Sequence, residues 1–309
     1  MRLDGIHHIT AITGDAPRNV DFYARVLGLR LVKKTVNQDD PTVYHLFYGD
    51  EQGDPGLDLT FFEYPGAAQG RPGAGMIHRI VWRVASPEAI GFWADRLGGE
   101  GVEARREGEA LVFADPERLE HELRVDRSGD EPLTADHAEV PREHALQGFD
   151  GVRAYADDPE RSRPLFEEAL GFEPRGEGFE ARGETRGGWY AYDAAPEQRG
   201  VQGAGSVHHI AWASEMDDHE EWRQRALRGG ARPTPVIDRF YFRSIYFREP
   251  SGVLFEIATK GPGFAVDEDP EHLGEQLSLP PAFEHVREQV ERTLTPIPDV
   301  RQWRPSRAR

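Results

Sequence analysis

Two histidine pairs and one late glutamate are the residues of this chain best suited to chemistry. The first pair lies in Gly5-Ile6-His7-His8-Ile9-Thr10 and the second in Val207-His208-His209-Ile210-Ala211-Trp212. The acid is Glu256, alone in the apolar run Val253-Leu254-Phe255-Glu256-Ile257-Ala258. A buried carboxylate without a partner is costly, so this setting asks for a cation. Two imidazoles and a carboxylate can hold a divalent ion and leave positions open for other ligands. A single histidine on a strand is more often a hydrogen-bonded structural residue, and it is the recurrence of the pair that favours a metal. The 309 residues include no cysteine, so thiolate sites are excluded and any metal must rest on imidazole and carboxylate.

Donors so far apart in sequence need a framework, and the chain supplies one by repetition. Residues 5–64 read as strand, helix and three strands. Asp15 is a helix N-cap, Gly28 stops that helix after Leu27, and the β-branched or aromatic runs 29–36, 42–48 and 57–64 follow. The same βαβββ order recurs over 76–126, 151–194 and 207–260. Helices are expected after Ser86-Pro87-Glu88, from Pro159 to Leu170 and around Asp217 to Leu227. One unit leaves an open sheet edge, and pairing units closes it into a cup. The expected fold is therefore α+β, with four βαβββ modules pairing into two cup-shaped sheets. The N-terminal half spans 1–128, a linker rich in Asp, Glu, Pro and Thr spans 129–148, and the C-terminal half spans 149–261. Residues 262–309 form a C-terminal helical strap with one helix over Phe283 to Leu294.

Laying the repeats over one another selects the ligands. Module two offers His78-Arg79 and module three Arg153-Ala154 where modules one and four have His-His. Thr60 of module one stands opposite Glu256 of module four. Only modules one and four together hold a full donor set. Neighbours on a strand point to opposite faces, so one histidine of each pair faces the cup. Module two keeps the first histidine and loses the second, which assigns His8, His209 and Glu256 as ligands. His7 and His208 then lie behind or beside them. His45, in an aromatic strand, is read as structural or as support for the ligands.

A formal charge of -18 argues against nucleic acid and anionic membrane as partners. There is no apolar run of bilayer length and no signal-peptide core, so a cytoplasmic protein is expected. Lysine occurs only at 33, 34 and 260, a bias that carries no chemistry.

Together with Asp39-Asp40-Pro41-Thr42-Val43-Tyr44-His45-Leu46 and Gly53-Asp54-Pro55-Gly56, the histidine and glutamate phrases resemble the vicinal oxygen chelate superfamily over nearly the whole chain. That superfamily includes glyoxalase I, extradiol ring-cleaving dioxygenases and antibiotic-resistance proteins. The nearest match is to dioxygenases that open hydroquinones. The resemblance implies an extradiol-type enzyme with iron(II), or manganese(II), on His8, His209 and Glu256. Its substrates would be a small aromatic ring, hydroquinone- or catechol-type, and O2. It also implies that His7, His208, Arg239 and Tyr246 line the pocket, with Arg243 close to Arg239 in sequence, and a homo-oligomer is in keeping with the fold. The main rival is a glyoxalase-type lyase or isomerase, which employs a fourth protein ligand. Thr60 stands where that ligand would be, and Glu63 or Glu122 are its substitutes under a different register. A non-catalytic binding protein of the same fold is the third reading, and it leaves the three donors without a task.

Overall fold

The computed structural model describes residues 1–305. Sixteen strands arise in chain order, four in each module. The first module gives β1 (Ile6–Thr13), β2 (Arg30–Asn37), β3 (Asp40–Gly49) and β4 (Asp58–Glu63). The second gives β5 (Met76–Val84), β6 (Ala104–Glu107), β7 (Ala110–Ala114) and β8 (Glu120–Val125). The third gives β9 (Phe149–Ala156), β10 (Glu173–Arg175), β11 (Gly178–Arg182) and β12 (Gly187–Ala194). The last gives β13 (Val207–Ser214), β14 (Ile237–Asp238), β15 (Phe242–Arg248) and β16 (Leu254–Pro262).

These strands form two eight-stranded sheets. One runs β14-β15-β16-β13-β1-β4-β3-β2 and the other β10-β11-β12-β9-β5-β8-β7-β6. Modules one and four thus share a sheet, as do modules two and three. In the first sheet β1 pairs antiparallel with β13 and parallel with β4, while β13 pairs parallel with β16. Four strands from opposite ends of the chain are thereby brought side by side.

The helices cover the sheets with apolar faces that include the fully buried Trp93 and Trp222. Asp15 caps the first helix by accepting from Arg18 N at 3.1 Å, and Gly28 follows it with φ 71°, a backbone state that favours glycine. That helix widens to a π-helix over Asp21–Val26, with Leu27 N bonded to Phe22 O. The single helix expected over Pro159 to Leu170 is instead a 3-10 turn, Pro159–Arg161, followed by a π-helix, Leu165–Leu170. Pro164 lies between them and has no N–H to continue the ladder.

Residues 129–148 carry one 3-10 turn, Arg142–His144, and bury Ala135, Val140, Ala145 and Leu146 against the core. After β16 the chain returns over the outer strands of module one. The helix expected over Phe283 to Leu294 divides into a 3-10 segment, Pro281–Val286, and an α-helix, Arg287–Thr293. Lys33 of β2, fully buried, ties this strap down through Asp267, Glu268 and the carbonyl of Phe264. No helix among the described residues is long and apolar enough to cross a membrane.

Candidate metal centre

Alternation along β1 turns His8 and Thr10 to one face of the first sheet, and the register places Thr10 opposite His209 on β13 and beside Thr60 on β4. Ala211 of β13 is the register partner of Glu256 on β16, which brings the acid to the same region. His8 Nε2 and His209 Nε2 lie 3.2 Å apart, and Glu256 Oε2 is 3.2 Å from the first and 2.9 Å from the second. All three side chains are buried. Ligand atoms about 2.1 Å from one ion, in neighbouring octahedral positions, lie about 3.0 Å apart. The observed separations fit that arrangement.

The donors are also prepared chemically. Glu256 Oε1 accepts a hydrogen bond from Ser244 Oγ, whereas Oε2, equally buried, has no well-directed donor. Burial works to raise the Glu256 carboxyl, yet the charge and hydrogen bonding of His8 and His209 hold it well below the usual range. The acid is therefore ionised, with one oxygen turned toward two imidazole nitrogens. An ion between them satisfies all three groups, and the residues present fit a divalent metal.

His7 orients the His8 ring. Its Nε2 lies 3.1 Å from the carbonyl of Thr259, an acceptor only, so Nε2 must carry the proton. Burial, then the neighbouring His8, drives His7 down to about 3, so the ring is neutral and its Nδ1 is an acceptor. His8 Nδ1, 2.9 Å away, donates to it, and this fixes the His8 ring with Nε2 facing Glu256. His208 Nδ1 meets His209 Nδ1 in the same manner at 2.8 Å. Burial depresses the pKa of His209, more than Glu256 raises it.

A partly open cavity of about 40 Å3 adjoins the three donors. Phe47, Phe62, Tyr241 and Phe242 supply aromatic walls, and Tyr246, Arg239 and His45 supply polar ones. Tyr246 is pushed above the ordinary tyrosine value by burial and then by the charge of Glu256, so its hydroxyl keeps its proton. Arg239 is gripped through both terminal nitrogens by Asp39, at 3.1 and 2.9 Å, and its Nε reaches Tyr246 Oη at 3.4 Å. Arg243, its neighbour in sequence, is exposed.

His7 and His208, expected along the pocket, are not among the residues of this cavity wall. Each sits beside its partner histidine and meets it through Nδ1, a consequence of strand neighbours turning to opposite sides. His45, read as structural or as support for the ligands, lines the cavity. Glu63 lies away from the donors, accepting from Ala16 N at the start of the first helix, and Glu122 belongs to the second sheet, paired with Arg79 and Arg124. Sequence reasoning missed Thr10, whose Oγ1 is 2.9 Å from His209 Nε2, and Ser244. The two-residue spacing from His8 could have flagged Thr10.

Similarity to known proteins follows the same outline. The family model of the Glyoxalase/Bleomycin resistance protein/Dioxygenase superfamily matches residues 5–122 and 148–257. A Bacillus subtilis protein named "Putative ring-cleaving dioxygenase MhqO" is 44% identical, over 95% of this chain and 96% of its own. A chlorohydroquinone/hydroquinone 1,2-dioxygenase of Sphingobium indicum is 33% identical over 95% of this chain and 96% of its own. A crystal structure of a Bacillus subtilis dioxygenase, so titled with the word putative, superposes with a TM-score of 0.87 at 40% identity, covering 96% of this chain and 98% of that one. Maize glyoxalase I, at 17% identity and a TM-score of 0.56 over 83% of this chain and 92% of that one, shares the fold alone. The two sheets, the repeated modules and these matches together make the chain a member of the glyoxalase/bleomycin resistance/dioxygenase superfamily, with relatives named as ring-cleaving dioxygenases.

Proposed function

We propose that this chain is a non-haem iron(II) dioxygenase that opens a hydroquinone-type aromatic ring in extradiol fashion, with His8, His209 and Glu256 as the metal ligands. The observation that carries the reading is the convergence of two imidazole nitrogens and one unpartnered carboxylate oxygen within 3.2 Å beside an aromatic-walled cavity. The names of the relatives support the substrate class.

Bound there, iron(II) would supply a common meeting point for an ionised ring oxygen and O2 and a path for electrons between them. The protein's part follows from its side chains. Two neutral imidazoles and one carboxylate leave a divalent ion with net positive charge, which favours the ionised form of a ring hydroxyl. Phe47, Phe62, Tyr241 and Phe242 offer flat apolar surface to the ring and keep water from it. Tyr246 retains its proton and can donate it to oxygen on which negative charge develops. Arg239, fixed by Asp39, is placed to hold a second hydroxyl or the anion formed from it.

The test is anaerobic reconstitution with iron(II), followed by oxygen-electrode assays on hydroquinones and catechols. The reading expects O2 uptake on a hydroquinone and none without iron. Turnover of a thiohemiacetal with zinc or nickel, and no O2 uptake on any diol, would replace it with the glyoxalase reading.

A further inference from the structure

We propose that His45 is the proton carrier of the cavity, coupled to the donor cluster through Thr60 and Thr10. This inference rests on the ring-cleaving reading above and adds a residue to it. His45 Nε2 is 2.9 Å from Thr60 Oγ1, Thr60 Oγ1 is 2.8 Å from Thr10 Oγ1, and Thr10 Oγ1 is 2.9 Å from His209 Nε2. Both threonines are fully buried. Their hydroxyls thus form an unbroken line between a cavity-lining imidazole and the donor cluster.

Two further features separate this arrangement from ordinary strand packing. The His45 ring is clamped between Phe47 and Phe62, with centroids 3.9 and 4.4 Å away, so its orientation is set by apolar contacts. Its Nδ1 has no hydrogen-bond partner among the described residues and belongs to a side chain on the cavity wall. One nitrogen therefore serves the cavity and the other serves the threonine line. Burial, the largest influence on the ring, keeps it uncharged.

A hydroxyl both gives and takes one proton, so the line can pass a proton without any group gaining lasting charge. The ring hydroxyl of a bound diol gives its proton to His45 Nδ1. His45 Nε2 gives its own to Thr60 Oγ1, Thr60 gives its hydroxyl proton to Thr10, and Thr10 gives its own to the oxygen reduced during cleavage. One O–H bond breaks on the substrate and one forms on oxygen derived from O2. No electron travels along the line. His45 ends as its other neutral tautomer, and the start is restored when Nδ1 gives its proton to water in the cavity and Nε2 takes one back from water along the hydroxyl line.

The test combines kinetics on the iron(II) protein with nitrogen-15 NMR of histidine in the zinc-loaded protein, which is diamagnetic. His45→Gln and Thr60→Val should each lower kcat on hydroquinone about 100-fold, with KM within about 3-fold and full metal content. Thr60→Ser, which keeps the hydroxyl, should stay within about 3-fold of the parent in kcat. The His45 signal, assigned by its loss in His45→Gln, should show a neutral ring protonated on Nε2. A ring protonated on Nδ1, a Thr60→Ser variant as impaired as Thr60→Val, or a kcat in His45→Gln within about 3-fold of an active parent would each overturn the proposal. A parent inactive on every diol would instead strike the ring-cleaving reading, and the proton relay, which serves that reaction, would fall with it.

Discussion

The two sheets are built alike and equipped differently. Each joins two modules through an antiparallel pair of opening strands, β1 with β13 and β5 with β9. In the first sheet the polar groups are two imidazoles and a carboxylate that leave an oxygen unserved. In the second, arginines pair the carboxylates that line the matching region. Arg79 contacts Glu107, Glu120 and Glu122, and its register partner Arg153 grips Asp193, which also takes His78 at 2.8 Å. The second sheet balances its own charge and needs nothing added. The first leaves one carboxylate oxygen open to a cation. The fold supplies a cup in both places, and the side chains decide which cup does chemistry.

The largest effect should come from disturbing the first sheet. Glu256→Gln keeps the shape of the side chain but removes its charge, and should cost about 1,000-fold in turnover together with most of the bound metal. Elemental analysis beside the oxygen-uptake assay reads both, and a variant retaining its metal would show that the carboxylate is not a ligand.

Disturbing the second sheet should touch stability and leave metal alone. Burial tends to raise Asp193, but Arg153 and His78 bring it down to about 2, against 3.8 unperturbed. As pH falls the unfolded chain takes up this proton first, so the stabilisation is whole above about pH 4 and fades toward pH 2. Asp193→Asn should therefore lower unfolding free energy by about 2 kcal/mol at pH 7, and by about half as much at pH 3. Urea melts at the two pH values measure this, and metal content should be unchanged.

Arg239→Gln should raise KM for hydroquinone about 10-fold with metal content intact, since Arg239 faces the cavity and not the three donors. The smallest effect is expected at Glu63. Glu63→Gln should leave metal affinity, measured by calorimetric titration, within about 3-fold, because that carboxylate serves Ala16 N. Loss of metal there would revive the four-ligand arrangement of a glyoxalase.

Much of this contrast was legible in the sequence. The repeated His-His phrase, the switch to Arg79 in module two and the isolated Glu256 point to modules one and four. Period-two alternation let one histidine of each pair face the cup, and Arg79 in place of the second histidine of module two pointed to His8 and His209. Strand and turn chemistry was equally local, as Asp15 and Gly28 illustrate. What could not be read depends on contacts between distant segments. That His7 orients His8 depends on the carbonyl of Thr259, 252 residues away. The line from His45 to His209 crosses four strands whose order no local pattern reveals. The break at Pro164 was visible in principle, but helical spacing outweighed it.

The central claim is that one divalent ion sits among His8, His209 and Glu256. Crystals of the iron(II)-loaded protein, with anomalous diffraction recorded at the iron edge, test it most directly. The account predicts one strong peak within bonding distance of both Nε2 atoms and Glu256 Oε2, and none beside Arg79 and Arg153. A peak elsewhere, or none in protein that still consumes O2, would contradict it.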